Sequence, residues 1–119
     1  MDSIERTVSP AQMAVCKRFD VAPCAASPRQ KAGIARNVTS GLQPVNGLRH
    51  LPEGDTSGWY IWAGEHLSDD PNFFVPVHIQ HLDQWCPDVL PYLALPPGWR
   101  FLLGPNYEDV WHDPSLLAI

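Results

Sequence analysis

The sequence predicts an α+β fold: an antiparallel sheet of four or five strands, an N-terminal helix, and two short helices between the central strand and a C-terminal hairpin. Three observations predict it. A capped helix start occupies residues 9–12, a strongly apolar strand pattern occupies residues 59–62, and thirteen prolines are spread over the 119 residues. Because proline interrupts the helical hydrogen-bond ladder, that spread restricts most of the chain to short elements.

The N-terminal helix is predicted from its start signals. Ser9 is expected to cap the helix, Pro10 to take the first helical position, and Gln12 to complete a capping box. Residues 21–30, with two prolines, are expected to form a loop. Apolar residues recur every three positions along the helix and predict one buried stripe: Met13, Cys16 and Phe19.

The central strand is predicted at Trp59 to Trp62, the strongest strand pattern in the chain. Alternation places Trp59 and Ile61 on one face and Tyr60 and Trp62 on the other. Large side chains on both faces are typical of a strand inside a sheet. Ahead of it, residues 31–38 form a weaker strand candidate, and residues 41–52 are rich in turn residues.

The second half of the chain predicts an edge strand, short helices and a hairpin. Residues 73–77 are apolar and extended, and Pro76 places them at a sheet edge. Two short helices are expected between residues 77 and 95, because prolines interrupt the helical pattern there. Residues 99–112 predict a hairpin. The expected core combines Trp59 or Ile61 with Leu93 and Phe101.

Length and composition predict one domain over residues 1–119, with an N-terminal helix and loop (1–30) and an α+β core (31–119). The first ten residues lack a basic and then apolar segment, so we expect no secretory signal. An odd number of cysteines without such a signal favours reduced thiols in the cytoplasm. The cysteines are Cys16, Cys24 and Cys86.

Charge is distributed unevenly along the chain. Residues 1–50 carry seven basic and three acidic side chains, a balance of +4, whereas residues 51–119 carry one and ten, a balance of −9. An acidic surface repels nucleic acid and either keeps a protein soluble or binds a basic partner. We expect a partner-binding face with no nucleic acid, membrane, metal or cofactor bound. Its predicted residues are Asp69, Asp70, Glu108, Asp109, Trp111 and Asp113.

The side chains with catalytic potential do not form a recognisable site, and no catalytic residue is predicted. His78, His81 and Cys86 have donor types that zinc prefers, but the sequence specifies no fourth ligand. Neither common glycine-rich phosphate-binding motif occurs in the chain. A small metal-dependent or thiol enzyme that uses these three residues therefore stays open as the alternative to a binding protein. A structural role in a larger assembly also stays open.

The central part of the sequence resembles a family of small bacterial domains. The stretch from Ser57 to Glu65, the Asp-Pro loop at residues 69–72 and the Val-Pro step at residues 75–76 are similar to immunity proteins of polymorphic toxin systems, the thirty-third family of the numbered immunity series. The similarity runs from about Lys31 to Asp113 and leaves the N-terminal helix outside. This chain departs from the family in Trp62 and in the two histidines at 78 and 81.

The resemblance implies an α+β domain that binds and blocks a cognate toxin without catalysis. No agreed active site is known for the family, so no catalytic residue is carried over from it. A toxin that acts on nucleic acid has a basic cleft, and an acidic protein would be attracted to it. The charge distribution is compatible with this role, and the expected partner is a cognate toxin with a basic surface.

Overall fold

The computed structural model describes residues 8–117, and within that range the chain forms one α-helix, four 3₁₀ helices and six strands. Helix α1 spans Pro10–Arg18, and the 3₁₀ helices span Arg36–Ser40, Ile79–Gln84, Pro87–Tyr92 and Pro114–Leu117. The strands are β1 (Lys31–Ala35), β2 (Val45–Arg49), β3 (Thr56–Ala63), β4 (Phe74–His78), β5 (Trp99–Gly104) and β6 (Tyr107–His112). The expectation about a secretory signal falls mostly on residues 1–7 and so lies outside the described residues.

The six strands of the described range form one mixed sheet in the order β4-β1-β3-β2-β5-β6. The prediction of an antiparallel sheet with four or five strands is therefore wrong in strand number and in one pairing, because β1 and β3 are parallel. The other four neighbouring pairs are antiparallel. Segment 36–44 reverses the chain into β2, and segment 50–55 reverses it again. Strand β3 thus regains the direction of β1 and lies between β1 and β2.

Strand β2 lies within residues 41–52, for which the sequence predicts turns. Its turn-type residues have packing roles instead. A Cβ atom on Gly47 would lie 2.2 Å from the Phe101 ring, so glycine makes room for that ring. The Asn46 side-chain amide donates a hydrogen bond to the Gly64 carbonyl at 2.7 Å and links β2 to the end of β3.

Helix α1 begins as predicted. The Ser9 hydroxyl accepts a hydrogen bond from the Gln12 backbone N–H at 3.1 Å, and the Gln12 side chain accepts one from the Ser9 N–H at 3.0 Å. Pro10 occupies the first turn, where its missing N–H costs no helical hydrogen bond. The predicted capping box is confirmed.

The predicted buried stripe of α1 is wrong at its first residue. Met13 is 49% exposed, whereas Val15 and Cys16 are buried. The Gln12 side-chain amide donates to the Leu90 carbonyl at 2.9 Å, which holds this side of the helix against the 3₁₀ helices. The buried face is therefore rotated away from Met13.

The elements of the second half match their predictions. Strand β4, which contains Pro76, is an edge strand of the sheet. Two short helices follow it, and both are 3₁₀ helices; the second contains Pro87 and Pro91. Strands β5 and β6 form the predicted hairpin, with Asn106 in the left-handed conformation at φ 59° in the turn.

One face of the sheet, called here the helical face, packs against α1 and the two 3₁₀ helices between β4 and β5. It holds the larger apolar cluster of the protein. The four predicted core residues Trp59, Ile61, Leu93 and Phe101 all lie there and are 0–2% exposed. The core prediction is confirmed, and most of the apolar burial that stabilises the fold lies on this face.

The opposite face, called here the aromatic face, carries a second and smaller apolar cluster. As predicted, Tyr60 and Trp62 lie on this face, opposite to Trp59 and Ile61. Within the described residues, no α-helix covers it. Its cover comes from the loop 64–73 and the last 3₁₀ helix, whose Phe73 and Leu116 pack against the cluster.

Candidate protein-binding surface

The strand register brings residues from all six strands onto the aromatic face. Leu48 on β2 pairs with Tyr60 on one side and with Arg100 on the other. Arg100 in turn pairs with Trp111 on the edge strand β6. Because directly paired residues project from the same side of a sheet, these side chains lie in one row across the face.

A groove of about 250 Å³ crosses the aromatic face. Its aromatic rings pack edge to face, with Tyr60 and Phe74 centroids 5.2 Å apart and Trp62 and Phe74 centroids 6.3 Å apart. Leu67, in the loop after β3, lines the groove and is 52% exposed. We call this feature the aromatic groove, and its lining residues are Leu48, His50, Tyr60, Trp62, Leu67 and Phe74.

The two tryptophans of β3 differ in their hydrogen bonding. The Trp59 indole N–H donates to the Leu93 carbonyl at 3.0 Å. The Trp62 indole nitrogen is buried, the residue is 4% exposed, and within the described residues this N–H has no acceptor. An unsatisfied buried donor costs about 1–3 kcal/mol, so this indole is held in an unfavourable environment.

The acidic loop contains Asp69 and Asp70, and both are exposed. The Asp70 carboxylate accepts a hydrogen bond from the Asn72 N–H at 2.9 Å, and the Asp70 N–H donates to the Ser68 hydroxyl at 3.0 Å. These turn contacts hold the acids between Leu67 and Phe73, two residues that contact the aromatic face. Ion pairs among the described residues include neither acid.

Glu108 lies on the side of β6 that faces α1, since its neighbour Val110 belongs to the helical-face cluster. Arg18 donates two hydrogen bonds of 2.9 Å to its two carboxylate oxygens, and the Tyr92 hydroxyl donates a third. The bonds from Arg18 and Tyr92 lower the pKa of Glu108 to about 2. Burial, followed by the contact with Glu108, raises the pKa of Tyr92 to about 12.

Asp113 lies at the other end of β6. It forms an ion pair of 3.2 Å with Arg100, and the Ser115 hydroxyl donates to it at 2.6 Å. The hydrogen bond from Ser115 is the main cause that lowers the pKa of Asp113. The Arg100 guanidinium also stacks over the Trp111 ring at 5.3 Å. Arg100 thus contacts two residues of the predicted set, Asp113 through an ion pair and Trp111 through ring stacking.

The six predicted contact residues do not form one patch. Asp109 and Trp111 project from β6 onto the aromatic face, and the acidic loop reaches the same face near the aromatic groove. Glu108 projects to the helical side, and Asp113 follows the opposite end of β6. Two of the six residues already have internal partners, because Arg18 pairs with Glu108 and Arg100 pairs with Asp113.

The comparison with protein families shows to which family the chain belongs. The family model described as the Imm33-like domain matches residues 11–113. The chain belongs to the Imm33-like family. The resemblance drawn from the sequence is confirmed, but its start is corrected, since the match includes α1 from its second residue onward. No curated protein and no solved structure matches the chain.

The residues that carry the family resemblance have structural roles in this Imm33-like protein. Gly58 has a φ of +92°, and a Cβ atom there would lie 2.0 Å from the His50 carbonyl oxygen, so only glycine fits. Trp59 is fully buried on the helical face. Gly64 ends β3 with a φ of +90°. These motif residues therefore determine the path of β3, while the aromatic groove is built from the residues between them and from neighbouring strands.

The histidine and cysteine residues of the alternative hypothesis do not come together as three metal ligands within the described residues. The His78 and His81 rings are 6.2 Å apart, and within residues 8–117 no group of three metal-ligating side chains is close enough to hold an ion. All three cysteines are free. Burial raises the pKa of the Cys86 thiol, which keeps it protonated and poorly reactive at neutral pH.

The sequence did not predict that Leu48, Leu67 and Phe74 line the groove. The alternation in β3 placed Tyr60 and Trp62 together, but it did not indicate which strands flank them. The edge position of β4 and the insertion of β3 beside β2 bring Phe74 and Leu48 to these rings.

Within the described residues, no helix has the length and apolar character needed to cross a membrane.

Proposed function

We propose that this protein is an immunity protein: it binds a cognate bacterial toxin in the cytoplasm and blocks it without catalysing a reaction. The observation that carries the proposal is the match of residues 11–113 to the Imm33-like domain. Charge supports it, since residues 51–119 carry ten acidic side chains and one basic one. The acids of this segment that are not ion-paired within the described residues would attract a basic protein and repel nucleic acid and anionic membranes.

The proposed contact residues contribute unequally. Asp69, Asp70 and Asp109 have no ion pair within the described residues, so their field is available to steer a basic partner. Glu108 and Asp113 are already paired with arginines, and we expect them mainly to hold the hairpin in place. The proposed set is Asp69, Asp70, Glu108, Asp109, Trp111 and Asp113.

Trp111 is the proposed anchor on the hairpin. It is half-buried, lies on the aromatic face, and is held by the Arg100 guanidinium. Tryptophan is among the residues most often found to dominate interface energies, and truncating a true anchor costs about 2 kcal/mol or more of binding free energy. Rim carboxylates act more on the association rate than on the final affinity.

The test uses the cognate toxin domain, which is to be sought among the products of the neighbouring genes. Purified toxin domain is titrated with the wild-type protein and with an Asp69→Asn/Asp70→Asn variant at low and high salt, and the association rate is measured. We expect the variant to associate several-fold more slowly at low salt, with the difference shrinking at high salt as charges are screened. Co-expression of the wild-type protein should restore growth to cells that produce the toxin.

A matched control separates local from overall charge. Asp83→Asn/Asp88→Asn removes the same two charges from exposed positions on the 3₁₀ helices, away from the aromatic face. We expect this control to bind like the wild type. Absence of wild-type binding together with absence of growth rescue would overturn the proposed function.

A further inference from the structure

We infer that the aromatic groove receives an apolar side chain from a Lys/Arg-rich segment of the partner, and that the entering chain supplies an acceptor for the Trp62 indole N–H. This inference rests on the proposed function and specifies which surface and which partner chemistry it uses. Three independent features of the aromatic face lead to it: an apolar groove, an unsatisfied donor, and the charge around them.

The first feature is the extent of the apolar surface. A second groove of about 340 Å³ continues from the aromatic groove and shares His50 and Tyr60 with it. Leu67 lines the first groove and Leu51 the second, and both are exposed by 44–52%. Two exposed leucines beside clustered aromatic rings form the kind of surface that binds another protein.

The second feature is the Trp62 indole. Its buried N–H lacks an acceptor within the described residues, although Trp62 lines the aromatic groove. A chain segment that enters the aromatic groove, which Trp62 lines, would bring a carbonyl oxygen to this donor. Binding then gives the buried indole N–H the hydrogen-bond acceptor that it lacks in the free protein. The groove should therefore prefer a peptide chain, which has carbonyl oxygens, over a purely hydrocarbon ligand.

The third feature is the charge around the two grooves. None of their described lining residues is Lys or Arg, and Glu53 lines the second groove. Glu65, Asp69 and Asp70 belong to the same exposed loop as Leu67. A basic segment complements these acids, whereas a second copy of this chain, with a net charge of −5, would bring like charges together.

The first experiment follows the indole N–H signals by NMR, with the Trp62 signal assigned from its loss in Trp62→Phe. The probe is a short synthetic peptide with a central phenylalanine flanked by lysines and arginines, and its matched control carries aspartates and glutamates instead. We expect the basic peptide to shift the Trp62 signal saturably and leave the Trp59 signal unchanged. No shift with the basic peptide, equal shifts with both peptides, or a shift caused by protein concentration alone would overturn the inference.

The second experiment measures binding of the cognate toxin domain used to test the proposed function. Leu67→Ser and Trp62→Phe should each weaken binding about fivefold or more, as expected when an interface anchor is altered. Leu42→Ser is the matched control, because Leu42 is 48% exposed but lines a different groove. Circular dichroism melts establish that each variant is folded.

The two experiments keep the inference and the proposed function distinguishable. If the wild type binds the toxin and both groove variants bind equally well, the groove inference is wrong and the proposed function stands. If the wild type does not bind the toxin, the proposed function fails, and the peptide titration alone decides whether the groove takes a basic segment.

Discussion

The two faces of the sheet differ in how completely they satisfy their polar groups. On the helical face, the buried Arg49 guanidinium donates to the carbonyl oxygens of Cys24, Ser57 and Leu95 at 2.6–3.0 Å. On the aromatic face, the Arg100 Nε and the Trp62 indole nitrogen are buried without a partner in the described residues.

The comparison is sharpest within β3, where one strand supplies a tryptophan to each face. The Trp59 ring centroid lies 5.5 Å from the Phe101 ring centroid and 5.6 Å from the Arg49 guanidinium carbon. Its indole N–H donates to the Leu93 carbonyl. Trp62 packs against Phe74 and its N–H is not bonded. Burial alone therefore does not show that a side chain serves folding. The Trp59 N–H finds its acceptor within the described residues, and the Trp62 N–H does not.

The largest expected effect is the loss of Trp59. Trp59→Ala should lower the free energy of unfolding by about 3–5 kcal/mol, since it removes a fully buried side chain and opens a cavity. Trp62→Phe should change it by about 1 kcal/mol or less, because no hydrogen bond is lost and an aromatic ring remains. Urea denaturation of both variants measures the difference. Trp59→Phe is the matched control for Trp62→Phe and should cost more, because it leaves the Leu93 carbonyl without its donor. Equal losses from the two phenylalanine variants would contradict the difference between the faces.

Much of the fold was predictable, and its main error has one cause. The capping box, the central strand, the edge strand and the hairpin are local patterns, and all are confirmed. Strand β2 was hidden because Asn46-Gly47 is a typical turn pair, whereas here the glycine accommodates the Phe101 ring. Adding β2 introduces one more chain reversal, which changes the predicted antiparallel sheet into a mixed one.

The candidate surface was less predictable than the fold, because it depends on pairing between distant strands. Sequence reasoning identified the acidic residues but could not predict that Arg18, ninety residues away along the chain, contacts Glu108. It also could not place Phe74 beside Tyr60, which requires the order of β4, β1 and β3. The family resemblance was accessible because it rests on a contiguous stretch around β3.

An intermediate effect is expected for Arg49, the polar centre of the helical face. Arg49→Met should destabilise the protein by about 2–4 kcal/mol, because the buried carbonyl oxygens it serves lose their donor. Arg49→Lys keeps the charge but cannot present a planar fork to three acceptors, so it should recover only part of this loss. Thermal melts compare the three proteins. A fully stable lysine variant would contradict the importance of the fork geometry.

The smallest expected effect uses two neighbours on β6 that project to different faces, Glu108 and Asp109. Glu108→Gln should lower the free energy of unfolding at pH 7 by about 0.5–1 kcal/mol, the range of a partly exposed but bidentate ion pair, whose Glu108 side chain is 29% exposed. Asp109→Asn should have little effect, since within residues 8–117 no ion pair includes Asp109.

The stabilisation that Glu108 provides depends on pH, and its direction follows from the lowered pKa of this side chain. Folding lowers the pKa of Glu108 from its ordinary 4.5 to about 2, so the folded state favours the carboxylate more strongly than the unfolded state does. The stabilisation by Glu108 is then fully present above pH 4.5 and is lost as the pH falls through about 2. Urea titrations of the wild type and Glu108→Gln should therefore show a constant difference above pH 4.5, and the difference should narrow steadily as the pH falls from 4.5 to 2.5. If their difference stays constant with pH, or if Asp109→Asn shows the same convergence, the Arg18 contact is not the source of the stabilisation.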